Sequence, residues 1–130
     1  YFPYPLNVES LYRAAEAVTE YEDFTSFSKR NTQVKNFKCT ILRCCWIDQG
    51  GSLVFEVSAN RFLRGMVRAL VGTMLRVGRG KLGLDAFREI IEARDCSKAD
   101  FAAPAIGLFL MSVNFPEAYF EVQGNHAGVR

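Results

Sequence analysis

Three arginines, Arg61, Arg64 and Arg68, are the side chains of this sequence best suited to bind an anion. A guanidinium group is planar, stays charged at any relevant pH, and holds phosphate or carboxylate through paired hydrogen bonds. No aspartate or glutamate occurs between Glu56 and Asp85, so the neighbouring sequence offers these arginines no acidic partner. The pattern predicts an anion-binding surface, with RNA phosphates and a buried carboxylate as the two candidate ligands.

The three arginines fall in a segment whose apolar residues repeat at helical spacing. This periodicity predicts a long helix over residues 60–77, with Asn60 as its N-cap. One broad arc of the helix is apolar, and the opposite arc holds the three arginines with two glycines among them. Glycine inside a helix costs about 1 kcal/mol relative to alanine. Two glycines beside the arginines therefore indicate that a ligand or another backbone comes close to this face of the helix. The alternative is a solvated arginine face whose glycines serve helix packing.

Charge along the chain is uneven although the net charge is only +2. Residues 24–84 contain eleven lysines and arginines against two acids, a balance of +9, whereas residues 1–23 and 85–130 carry −4 and −3. A basic middle segment in a nearly neutral chain favours a local anionic partner such as nucleic acid. Chance clustering on a solvated surface remains the alternative.

Several functional classes are disfavoured by what the sequence lacks. The four cysteines form no CxxC pair and His126 is the only histidine, so we expect reduced thiols and no zinc site. No nucleotide-binding glycine loop and no plausible Ser/His/Asp set occurs. No apolar run has the length of a membrane helix and no signal peptide is visible, which favours a cytoplasmic protein.

The remaining pattern predicts the elements that must position the arginines. We expect helices at 7–19 and 84–93, a hairpin of strands 37–47 and 52–59, and a strand at 106–115 stopped by Pro116. This order predicts an α+β fold in which helices pack on one face of an antiparallel sheet. Three strands make a thin sheet, so either residues 24–36 add a strand or the sheet continues into a partner domain.

Three ordered blocks, residues 23–29, 59–80 (with Met-Val-Arg at 66–68) and 103–116, together resemble the TruA family of pseudouridine synthases. Residues 59–80, ANRFLRGMVRALVGTMLRVGRG, resemble a family motif built around Met-Val-Arg, a glycine and a closing Val-Gly. Residues 23–29, DFTSFSK, and 103–116, APAIGLFLMSVNFP, are similar to two further family segments in the same order. The sequence departs from the family at Val34, where a proline is frequent, and at Gly65, where a larger polar residue is usual.

The resemblance implies a two-domain fold of which this chain is one half. The family fold has two similar α+β halves that pool their strands into one sheet, with the active site in the cleft between them. Its nucleophile is an aspartate in an Arg-Thr-Asp-Ala-Gly-like motif of the N-terminal half, and that motif does not occur in this sequence. Residues 1–116 are therefore expected to be the C-terminal domain, and residues 117–130 a weakly ordered tail.

The resemblance also assigns roles to single residues. Arg68 matches the family arginine that pairs with the catalytic aspartate, and Leu108 matches an apolar residue that lines the pocket for the target uridine. Positions thought to meet tRNA correspond to Arg61, Arg64, Lys29 and Arg30.

The implied activity is conversion of uridine to pseudouridine on the 3′ side of the tRNA anticodon stem-loop, without metal or organic cofactor. Its implied partners are tRNA, the N-terminal half of the same polypeptide and a second copy in a homodimer. Two other interpretations stay open. One is a non-catalytic RNA-binding module resembling an RRM, for which Phe55 and Phe109 are present but the characteristic aromatic pattern is not. The other is a protein-interaction domain whose arginines are merely on the surface.

Overall fold

The computed structural model describes residues 7–28, 37–48, 52–100, 108–112 and 116–123. Within them the fold is α+β, as predicted, with helices, one 3₁₀ turn and strands in the following order: α1 (Val8–Val18), the 3₁₀ turn Thr25–Phe27, β1 (Ile41–Asp48), β2 (Ser52–Ala59), α2 (Met66–Gly78), α3 (Leu84–Ala93), β3 (Leu108–Ser112) and β4 (Pro116–Gln123). No helix among these residues is long and apolar enough to cross a membrane.

The four strands form one antiparallel sheet in the order β1-β2-β4-β3. The predicted hairpin of β1 and β2 is confirmed, and its register places Trp46 opposite Phe55. The register shifts between Ile41 and Arg43, which leaves Leu42 as an extra residue in β1, as in a β-bulge. The predicted turn at 49–51 lies outside the described residues.

The C-terminal part of the chain differs from the prediction. The strand expected at 106–115 is present as β3, but Pro116 does not end the sheet, because Pro116–Gln123 form β4 between β2 and β3. Proline is tolerated at the first position of a strand. Ala118, Phe120 and Val122 alternate with Tyr119, Glu121 and Gln123, a period-two pattern typical of a strand in the segment predicted to be a tail. The fourth strand of this sheet therefore comes from here. Of the predicted segment 24–36, residues 24–28 include only the 3₁₀ turn, and residues 29–36 lie outside the described residues.

The helices cover one face of the sheet, and the core lies between the two layers. In β2 the side chains of Leu53, Phe55 and Val57 are buried, whereas Val54 and Glu56 between them are half-buried. Helix α1 packs against both β1 and α2. The largest completely buried side chains come from every layer and include Phe24, Phe27, Phe55, Phe87, Leu70 and Met74. The predicted helices 7–19 and 84–93 are confirmed as α1 and α3.

Candidate nucleic-acid interface

Helix α2 begins five residues later than the sequence predicted, because its N-cap is Gly65 and not Asn60. Its first residue is Met66, and the preceding Gly65 is the N-cap, with a left-handed backbone at φ 75°. Arg61 and Arg64 consequently lie before the helix, and only Arg68 is part of it. The predicted helical arc of three arginines is therefore wrong, although the three residues still lie close together along the chain.

Asn60 explains why the helix does not start where the periodicity suggested. Its side-chain Oδ1 accepts a hydrogen bond from the Thr40 backbone N–H at 2.8 Å. Its own backbone N–H donates to the Thr40 carbonyl at 3.0 Å. Asn60 thus connects the end of β2 to the residues that precede β1. Because its side chain is used in this hydrogen bond to the backbone, it does not cap a helix. Residues 61–65 then form a turn, in which the Met66 N–H donates to the Leu63 carbonyl at 3.0 Å.

Arg68 occupies an unusual position in α2. Eleven of the thirteen residues of this helix are buried, and only Arg68 and Arg76 are partly exposed. The Nε atom of Arg68 is buried and has no hydrogen-bond partner in the described part of the chain. Leaving a buried donor without an acceptor costs about 1–3 kcal/mol, and more for a charged group. The geometry therefore favours an acceptor supplied from elsewhere, such as a carboxylate or a phosphate.

Arg61 is partly turned toward the protein rather than fully toward solvent. Its positive charge acts on the Cys39 thiol, whose Sγ is 3.9 Å from Sδ of Met66. Burial raises the pKa of Cys39, and the positive charge of Arg61 opposes that rise. Arg64, by contrast, is exposed. Of these two arginines, Arg64 is thus the more available to an external anion.

The remaining predicted site residues are Leu108, Lys29 and Arg30. Leu108 is the first residue of β3, an edge strand, and pairs with Phe120 of β4, which in turn pairs with Phe55. Lys29 and Arg30 lie outside the described residues. Exposed Lys38, which the sequence analysis did not select, pairs through an isolated bridge with Asp23. Arg61, Arg64 and Arg68 are thus close in sequence, with Arg61 and Arg64 just before α2 and Arg68 in its first turn.

The cysteines do not assemble a metal site in the described segments. All four are free thiols, and no group of three or more His, Cys, Asp or Glu side chains converges there. Burial is the main reason that the pKa of Cys44 is raised well above its ordinary value, which keeps this thiol protonated at neutral pH. The cysteines in β1 are thus suited to packing rather than to metal binding.

The left-handed Gly65 gives a testable prediction about how Arg68 is positioned. Replacing it by alanine should destabilise the protein by about 1–2 kcal/mol, because a Cβ is disfavoured at this backbone conformation. Gly65→Asn should cost clearly less, since asparagine tolerates left-handed geometry. Urea unfolding followed by the fluorescence of Trp46, the only tryptophan, measures both variants. Equal stability of the alanine variant and the parent protein would contradict the left-handed backbone conformation at Gly65.

Comparison with known proteins identifies the family of this chain. The profile of a family described as tRNA pseudouridine synthase matches residues 15–116, the region that contains α2 and β3. The chain belongs to this family. Relatives named tRNA pseudouridine synthase A include those of Parabacteroides distasonis (47% identical over 93% of this chain and 48% of the relative) and Bacteroides fragilis (48% identical over 90% and 47%). A Bacillus cereus relative, tRNA pseudouridine synthase A 1, is 40% identical over 88% of this chain and 46% of its own length. The chain thus spans about half the length of these pseudouridine synthases.

Proposed function

We propose that this chain is the C-terminal half of a tRNA pseudouridine synthase that isomerises uridine on the 3′ side of the tRNA anticodon stem-loop. In this proposal it supplies a tRNA-binding surface around Arg61 and Arg64 and the arginine, Arg68, that pairs with the catalytic aspartate of the other half. Membership of the family supports the reaction class. The observation that carries the role of Arg68 is its buried Nε, which lacks an acceptor within the described residues.

Arg68 has a clear physical task beside such an aspartate. A carboxylate in a dry cleft tends to protonate, because burial disfavours its charged form. A guanidinium within hydrogen-bonding range keeps it ionised and typically lowers its pKa by about 1–3 units. The charged aspartate then attacks the sugar carbon as its N-glycosidic bond to the base breaks. The base rotates and rejoins that carbon through one of its own carbons, which displaces the aspartate; this base carbon loses its proton, and the freed base nitrogen gains one. The target base has to leave its stack to reach the aspartate, as in other base-modifying enzymes.

The remaining parts of the proposal are carried over from the family resemblance. Leu108 would line the uridine pocket, and Lys29 and Arg30 would extend the surface that meets tRNA. The chain would act in the cytoplasm, within a homodimer of the full-length protein, and without metal or organic cofactor.

An RRM-like use of the sheet is disfavoured by the position of Phe55. RRM modules stack RNA bases on exposed aromatic side chains of their central strands. Phe55 is completely buried, and its ring lies 5.1 Å from that of Trp46, centroid to centroid, in the core. An RRM would need Phe55 on the open face, whereas here this side chain packs under the helices.

The proposed division of labour predicts that the chain alone makes no pseudouridine. Unmodified tRNA is incubated with the chain, and separately with the chain joined to the part of the Parabacteroides distasonis relative that it does not match. We expect pseudouridine only in the second reaction, because the aspartate nucleophile is absent from the first. Turnover above background by the chain alone would contradict the proposal.

The arginines before α2 should contribute to RNA binding through phosphates. Each phosphate contact adds roughly 0.7–0.9 to the slope of log affinity against log salt. Replacing Arg61 and Arg64 together by alanine should therefore lower that slope by about 1–2 units. Because Arg61 is only partly exposed and Arg64 is exposed, the single Arg64→Ala variant should account for the larger share.

The matched control for this measurement is Arg88→Ala. Arg88 lies in α3 and is held by Glu20 through two hydrogen bonds of 2.9 and 3.0 Å, so its removal deletes one positive charge away from the turn. We expect an almost unchanged salt slope. If the control lowers the slope as much as the double variant, binding reflects overall charge and not this surface.

A further inference from the structure

The two edges of the sheet have different surroundings. Strand β3 forms one edge and contains Leu108, which the proposed function assigns to the cleft between the two halves. If that function holds, β3 faces the other half, and β1 is the edge farthest from it. An edge strand presents backbone N–H and C=O groups that pair with a further strand.

A groove of about 260 Å³ runs beside this outer edge, between α1 and β1. Side chains from both elements line it, namely Tyr12, Ala15, Glu16, Cys44, Cys45 and Trp46. Among the described side chains only two large apolar ones are exposed, Tyr12 at 38% and Leu42 at 50%, and they belong to these same two elements. Trp46 is almost completely buried, and its indole Nε1 finds no acceptor among the described residues. Among the described side chains, exposed apolar surface therefore lies beside the β1 edge of the sheet.

The charge beside the groove indicates which class of partner would bind there. Glu16 is the only charged residue that lines it, and it is exposed. Three of the other acids in residues 1–23, Glu9, Glu20 and Asp23, are held by arginines, whereas no ion pair of the described residues involves Glu16. RNA phosphates would be disfavoured here. A second copy of this edge would bring another Glu16, while its arginines, Arg13 and Arg43, are already held by Glu9 and Glu56. Like charges placed together cost several kcal/mol at an interface, so the surface favours a basic partner.

We propose that the β1 edge and the adjoining groove are a docking site for an extended, basic segment of a partner protein. The segment adds a strand beside β1, places an apolar side chain against Tyr12 and Trp46, and sets a lysine or arginine near Glu16. In such strand addition the main-chain hydrogen bonds supply affinity, and pockets for alternate side chains supply specificity.

The single tryptophan makes this proposal measurable on the unmodified chain. The probe is a capped eight-residue peptide of alternating lysine and valine, titrated while the fluorescence of Trp46 is followed. We expect a saturable change with this peptide. A glutamate–valine peptide, and a lysine–valine peptide methylated at alternate backbone nitrogens, should give none. An absent response, or an equal response to the methylated peptide, would overturn strand addition.

Variants of the protein test the charge assignment. Glu16→Lys should weaken binding of the lysine–valine peptide several-fold, whereas Glu89→Lys, the same charge change at an exposed position of α3, should leave it unchanged. A peptide that binds both variants equally tightly is not recognised through Glu16, and the assignment of a basic partner is then wrong.

Sedimentation distinguishes a second copy as the occupant. If the peptide does not bind and the chain forms a dimer that Leu42→Asp dissociates, the edge holds another copy of this chain. None of these measurements uses RNA or turnover, so their failure leaves the proposed pseudouridine synthase function standing. Conversely, a chain that binds the peptide but never supports pseudouridine formation would refute the function alone.

Discussion

Replacing Arg68 by alanine should lower pseudouridine formation by orders of magnitude while tRNA affinity changes little. The measurement uses the chain joined to the unmatched part of the Parabacteroides distasonis relative. Removing one partner of a buried charge pair leaves the other uncompensated, which typically costs about 3–5 kcal/mol. Part of that cost would appear as protonation of the aspartate and part as lost orientation. Arg68→Lys should restore activity only partly, because an ammonium group cannot reproduce the two-pronged contact of a guanidinium.

The same substitution should behave differently in the chain alone. There Arg68 has a buried Nε without an acceptor in the described residues, so its loss removes an unsatisfied donor. We expect Arg68→Ala to be nearly neutral or slightly stabilising in urea unfolding. If it destabilises the chain by several kcal/mol, the partner of Arg68 lies within these 130 residues and the pairing with an external aspartate is wrong.

Arg76→Ala is the matched control for both measurements. Arg76 is the other partly exposed residue of α2 and lies two helical turns after Arg68, so its removal changes the charge of the same helix equally. We expect it to leave activity and stability nearly unchanged. An equal loss of activity in the two variants would indicate a general effect of helix charge instead of a specific pair.

The largest effect on stability is expected at Phe55. This side chain is fully buried in β2, and its ring packs against Trp46 of β1 at 5.1 Å between centroids. Phe55→Ala should lower the free energy of unfolding by about 3–5 kcal/mol, because it removes buried apolar area and leaves a cavity. Circular dichroism during urea unfolding measures the change without relying on the altered surroundings of Trp46.

Val54→Ala provides the comparison within the same strand. Val54 precedes Phe55 but is only half-buried, on the face of the sheet opposite the helices. We expect its substitution to cost well under half as much as Phe55→Ala, since partly solvated side chains lose less on truncation. Similar losses for the two variants would mean that the open face of the sheet is packed as tightly as the core.

The error in the helix start shows why local pattern was insufficient for the site. Apolar residues at helical spacing continue back through Phe62, and asparagine at position 60 is a common N-cap. The competing interaction is with Thr40, twenty residues earlier, and no local signal reveals it. Gly65 was the one available clue, because glycine before a helix permits the left-handed turn from which α2 starts.

The missed strand β4 did carry a local signal, the alternation after Pro116, which the proline and the nearby chain end obscured.

The sequence by itself determined the α+β class, the hairpin, α1, α3 and the family, because these depend on short periodicities and on the Met-Val-Arg block. It also determined that the basic charge lies in the middle of the chain. Only the tertiary structure decided that β4 lies between β2 and β3, and that Arg61 turns toward Cys39 while Arg64 is exposed. It alone decided that the Nε of Arg68 is buried without an acceptor in the described residues. Strand order, burial and hydrogen-bond satisfaction depend on contacts between residues far apart in sequence, and local periodicity does not encode those contacts.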